Sequence, residues 1–177
     1  MRACVYACGA DSWHSERWSM VRQAGEDASE QKVIDDIATH GWHGVHISAD
    51  EEGPGYAFTI GAGHSFGQPE FLIMGLPRAM AHQILDVALD AARSGAITDF
   101  TATTDVLLEG HPCAFVRVPV EQYRNYVGYA RWYYQGDDFT LYQIVWPSRD
   151  GHFPWQAQAS AQYVDSQPLL GPAPLAA

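Results

Sequence analysis

Gly53–Pro77 reads "GPGYAFTIGAGHSFGQPEFLIMGLP". It decides the fold, because two apolar segments of strand character sit close together in it. Tyr56–Gly61 alternates, with Tyr56, Phe58 and Ile60 on one face and Ala57 and Thr59 on the other. Residues 63–69 are rich in Gly and Pro and read as a loop. Glu70–Leu76 is apolar after its first residue, as a strand covered on both faces is. Pro77 stands where helices start. Upstream, "WHGVHIS" (42–48) alternates and "DEEGPG" (50–55) is a turn, so 42–61 is predicted to be a β-hairpin.

Working outward, Asp27 with Glu30 predicts a capped helix with Val33, Ile34, Ile37 and Ala38 on one face, stopped at Gly41. Met80, Ile84, Val87, Ala88 and Ala91 recur at helical spacing up to Gly95. Thr103–Leu107 and Cys113–Val118 read as two further strands. Pro119 opens a third helical stretch, "VEQYRNYVGYARWYYQG". Tyr123, Val127, Ala130 and Tyr134 form one stripe of it, and Tyr126, Tyr129 and Tyr133 another. "FTLYQIVWP" (139–147) is rich in β-branched and aromatic residues and reads as a strand. The order α, hairpin, β, α, β, β, α, β does not alternate regularly. The expected fold is therefore α+β, a mostly antiparallel sheet of five to six strands with helices packed mainly on one face. Residues 1–26 read as an arm, 27–156 as one domain, and 157–177 as a flexible or loosely docked tail rich in Ala, Pro and Gln.

The chain has 177 residues, enough for one core. With 21 acidic against 10 basic side chains its net charge is −11, which disfavours nucleic acid and anionic membrane surfaces and favours a basic protein partner. Cys4, Cys8 and Cys113 form no even disulfide framework. The start of the chain has no long apolar run, and the expected location is the cytoplasm. No cofactor and no metal site is expected. His40, His43 and His46 fall in a segment of strand character, where His43 and His46 point to opposite faces. Ser65 in "GHSFG" lacks the strand–turn–helix setting of a nucleophile elbow.

Three segments carry a resemblance: "GWHGVHISADEEGPGYAFTIG", "GQPEFLIMGLP" and "GYARWYYQGDDFTLYQIVWPSRDGHFPW". Over roughly Val33 to Trp155 the chain resembles the domain of unknown function 4262 family. It departs from the family pattern at Phe58, Ala62, Gln68, Phe71 and Ser148. The resemblance implies no reaction.

Among the matching positions Glu70 stands out, a carboxylate at the start of an apolar strand. Such a group needs a partner. One reading makes it structural, bonded to backbone amides or to Arg131 or Arg149. The other makes it an acid/base or ligand-anchoring group, with Thr59 as its polar neighbour, His64 nearby, and Tyr56, Trp146 and Trp155 as pocket walls. The third helical stretch raises a separate expectation. Tyr126, Tyr129, Arg131 and Trp132 are residue types that anchor protein contacts. Two functions therefore stay open, a non-catalytic protein-binding module and an enzyme or small-ligand binder.

Overall fold

A computed structural model describes residues 21–51 and 53–174. Most of the N-terminal arm, with Cys4 and Cys8, lies outside the described residues.

Helix α1 (Ala28–His40) begins where Asp27 accepts hydrogen bonds from Ser29 N and Glu30 N, at 2.8 and 2.9 Å. Glu30 reaches back to the N–H of Glu26 at 2.7 Å, one residue further than in a standard capping box. Gly41, at φ 86°, ends the helix. Strands β1 (His43–Ile47) and β2 (Tyr56–Ile60) form the expected antiparallel hairpin, pairing His43 with Ile60 and Ile47 with Tyr56. Strand β3 (Glu70–Met74) is buried throughout and pairs antiparallel with β2. Helix α3 (Arg78–Ser94) follows Pro77, and Gly95 closes it.

The segment between β2 and β3 is not all loop. Ala62–Phe66 forms a single helical turn, α2, between two left-handed glycines, Gly61 and Gly67. Thr103–Leu107 is not a strand either. It contributes one bridge, Thr104 to Cys113, beside strand β4 (Ala114–Arg117). The third helical stretch breaks into a 3-10 turn (Val120–Gln122), α4 (Tyr123–Tyr126) and α5 (Gly128–Tyr133). The break is at Val127, φ −125° and ψ 44°, next to Gly128, a poor helix former. Strand β5 (Leu141–Val145) runs parallel to β3 and antiparallel to β4.

The sheet therefore has five strands in the order β1-β2-β3-β5-β4, all pairs antiparallel except β3–β5. The α+β class holds, but the helices are not gathered on one face. On one side α3 packs Ala81, Ile84, Leu85, Ala88 and Leu89 against Ala57, Phe71, Ile73 and Ile144. On the other, Val33 and Ile37 of α1 join Tyr123, Val127, Ala130 and Tyr133 over Phe58, Ile60, Leu72 and Leu141. The continuous apolar run of β3 requires this, because each of its faces must be covered. The buried face of α3 is also turned from the expected stripe. Met80 is 46% exposed, and Ala81 and Leu85 face inward.

The segment beyond residue 156 is docked. Helix α6 (Ala161–Ser166) begins at Ser160. Gln167 is fully buried and Leu170 enters the second core. The buried side chain of Gln143 donates to Pro168 O and accepts from Leu170 N, each at 2.9 Å. Those bonds fasten the segment across β5 by satisfying a buried amide.

Candidate functional site

Glu70 sits where β2 and β3 stop pairing. The ladder runs from Tyr56–Met74 to Phe58–Leu72 and goes no further. At the next position the Thr59 hydroxyl takes the place of a backbone partner and accepts from Phe71 N at 3.0 Å. Its own proton goes to Glu70 Oε2 at 2.5 Å. Glu70 Oε1 accepts from Gly61 N at 3.0 Å, from Gly63 N at 3.2 Å and from the Tyr134 hydroxyl. Four donors thus converge on one carboxylate.

Gly61 and Gly63 belong to the start of α2, whose amide groups have no partner within so short a helix. Glu70 supplies that partner from the neighbouring strand. This is why residues 62–66 can be helical between two glycines, with no capping side chain of their own.

Glu70 and Thr59 are both 0% exposed. Burial raises the Glu70 pKa above its ordinary value; the bonds from Thr59, Tyr134, Gly63 and Gly61 act in the opposite direction. Among the described residues no arginine bonds to it. Arg131, one of the expected partners, is bidentate to Asp137 instead. Tyr134 is held well above the ordinary tyrosine range, by burial first and by the Glu70 charge next. Its neighbour Tyr133 is pushed up to about 12 for the same two reasons and stays protonated. The Tyr133 hydroxyl lies 2.8 Å from Nδ1 of His64, on the exposed side of α2. Consecutive tyrosines therefore hold the α2 turn from within and from without.

The remaining pocket walls are elsewhere. Trp146 donates from Nε1 to Met74 O at 2.9 Å, at the other end of β3 from Glu70. Tyr163 and Gln167 close on the Trp146 carbonyl, both at 2.6 Å. Trp155 stacks on Phe153, centroids 4.7 Å apart. Tyr56 stands at the Met74 end too, edge-on to Tyr126 at 5.6 Å. Of the residues grouped around Glu70, Thr59 bonds to it while Tyr56, Trp146 and Trp155 lie elsewhere; a cleft of about 540 Å³ lies beside the start of β3, but the Glu70 side chain is fully buried.

Apart from Tyr163 and Gln167, these positions lie within one matched stretch of sequence. The family model described as "Domain of unknown function (DUF4262)" matches residues 36–160. The chain belongs to this family. No curated protein matches the chain, and no solved structure does. The DUF4262 match contains all of Thr59, Gly61, Gly63, Glu70 and Tyr134, so the buried clamp lies inside the family's own region.

The outer side of α5 carries the expected contact residues. Tyr129 is 40% exposed and stands edge-on to Trp132, centroids 6.2 Å apart. Arg22 lies over the Trp132 ring at 5.3 Å, and its backbone N–H bonds to Tyr133 O at 2.9 Å. Val21, just before it, is buried in the second core. The inner half of this helix is thus packed on the sheet while part of its outer half faces solvent.

Sequence reading passed over two other places. Across β1 from α1, His43 Nδ1 lies 2.6 Å from Asp36 Oδ2. On the opposite face of β1, His82 stacks between Trp42 and His46, centroids 5.2 and 5.5 Å away. Gly44 makes room for that ring, since a Cβ there would lie 3.1 Å from His82 Nδ1. The alternation that sends His43 and His46 apart was legible; the helix residue arriving beside Trp42 and His46 was not. Among the described residues no group of three or more His, Cys, Asp or Glu is placed to hold a metal ion. No helix among them is long and apolar enough to cross a membrane.

Proposed function

We propose that this DUF4262 chain is a non-catalytic binding module that engages a basic protein partner in the cytoplasm through the outer side of α5. The observation that carries the reading is the exposed Tyr129 set edge-on against Trp132. Rigid aromatic rings at a partly wet surface lose little entropy on docking and bury much area. A net charge of −11 supports a basic partner, because it steers such a protein toward the surface from a distance. Support for the binding module over the enzyme alternative comes from Glu70, which is fully buried and holds four donors.

The test uses a synthetic Lys/Arg-rich peptide with two central aromatic residues, titrated calorimetrically into the whole protein. Binding is expected to weaken with salt between about 0.05 and 0.5 M, across which the screening length shortens severalfold. Tyr129→Ala, an exposed change that keeps the fold, is expected to weaken binding about tenfold, and Tyr129→Ala with Trp132→Ala to abolish it. Equal binding by Tyr129→Ala removes α5 as the contact surface.

A further inference from the structure

The cleft at the Glu70 end of β3 is lined by Asp137 and Asp138; another lies at the opposite end of the β2–β3 pair. A cleft of about 460 Å³ opens where β1 ends, β2 begins and α3 starts. Its walls include His46, Pro54, Tyr56, Leu76, Arg78 and Ser166. We propose that this cleft binds a small organic anion, a carboxylate or phosphate ester with an apolar body.

Charge is the first argument. The chain has about two acidic side chains for each basic one, yet among the described residues no Asp or Glu lines this cleft. Its positive charge comes from Arg78; burial first, and the Arg78 charge next, lower the pKa of His46, which therefore lines the cleft as a neutral imidazole. Arg22, Lys32, Arg93 and Arg131 each lie against an acid. Arg78 is exposed and forms no ion pair among the described residues. A guanidinium left open above a concave surface is suited to a planar oxyanion.

Unused hydrogen-bonding capacity is the second. Both ring nitrogens of His46 are shut off from water, and among the described residues the ring's contact with the Gly44 backbone falls short of a well-formed hydrogen bond. Helix α3, 17 residues long, starts at the same place, and Pro77 provides no side-chain cap. Its first-turn amides and its dipole add to the attraction for an anion.

The third argument concerns the ligand's body. Tyr56, Pro54 and Leu76 give the cleft apolar walls, which a bare inorganic ion would leave unused. Tyr56 and Pro54 also line an adjoining cleft of about 400 Å³ that contains Asp50. The carboxylate of Asp50 repels an anion, so the charged head belongs on the Arg78 side. None of these residues belongs to the α5 surface, so the two proposals fail separately.

The test titrates benzoate, phenyl phosphate and, as a cationic control of similar shape, benzylamine into the isotopically labelled full chain. Amide shifts at Gly55, Gly75 and Arg78 and ring shifts at His46 are followed. The expected result is saturable binding of at least one of the two anions, weaker by about tenfold or more in Arg78→Ala and weakened less in Arg78→Lys, which keeps the charge but not the planar fork. Arg149→Ala, an exposed arginine outside the cleft, is expected to bind normally. A preference between benzoate and phenyl phosphate tells which head group the cleft takes. No saturation by either anion, equal binding of benzylamine, or unchanged binding in Arg78→Ala overturns the proposal.

Discussion

The hydroxyl of Tyr134 donates to the carboxylate of Glu70 across 64 positions of sequence. The bond joins the end of α5 to the start of β3, and through Glu70 to the amides of α2. Glu70 is the pin on which these three elements meet.

Removing a donor from this pin leaves buried charge less satisfied. Tyr134→Phe is expected to cost about 1–3 kcal/mol, and Thr59→Val a similar amount because it also deprives Phe71 N of its acceptor. The two act on one carboxylate, so their effects should not add. Urea denaturation of both single variants and the double variant measures the coupling; simple additivity would show that the donors act independently.

Glu70 also makes a pH prediction. Burial raises its pKa in the fold above the ordinary 4.5, so the folded chain holds the proton more tightly than the unfolded one. Its stability contribution is therefore full below the unfolded value and falls as pH climbs through the folded value. Relative to Glu70→Gln, the natural chain is expected to lose ground as pH rises from acid toward neutral. Other carboxylates titrate in both proteins and cancel in the difference. A natural chain that gained on Glu70→Gln over that range would mean that the four hydrogen bonds outweigh burial.

Gly75 tests the docking of the C-terminal segment. Its φ is 74°, and a Cβ there would lie 2.2 Å from the carbonyl oxygen of Ser166. Gly75→Ala is expected to lift α6 from the end of β3 and to free the Trp146 carbonyl from Tyr163 and Gln167. Limited proteolysis should then cut near residue 160 much faster than in the natural chain. An unchanged cleavage rate would mean that the segment adjusts without leaving.

Cys113 is fully buried, and burial pushes its thiol up to about 12. In a Cys4→Ser, Cys8→Ser background it is expected to ignore an aromatic disulfide reagent at pH 8 until denaturant is added. Prompt reaction in native buffer would contradict the packing around β4.

Much of this architecture was legible. The hairpin, β3, α1 and α3 follow from periodicity and from their flanking glycines and prolines, which act over a few residues. Thr59 as the neighbour of Glu70 followed from alternation and strand pairing. The misreadings have a common cause in long-range contacts. Residues 62–66 turn helical because a carboxylate from the next strand caps them, which no local pattern displays. Ala161–Ser166 looked weakly apolar and loose, yet it docks because Gln143, buried mid-strand, needs its backbone. Met80 fitted the helical stripe, but the sheet takes Ala81 and Leu85. His46 was weighed only beside His40 and His43, and Arg78 not at all, because 32 positions separate the two along the chain.

The match to the family covers residues 36–160, whereas Val33, Gln167 and Leu170 are all buried beyond those limits. A gene trimmed to the matched borders would begin partway through a helix and omit the last pieces of the interior. Poor solubility of such a fragment would then report on where it was cut, and whoever expresses a relative should keep the flanks.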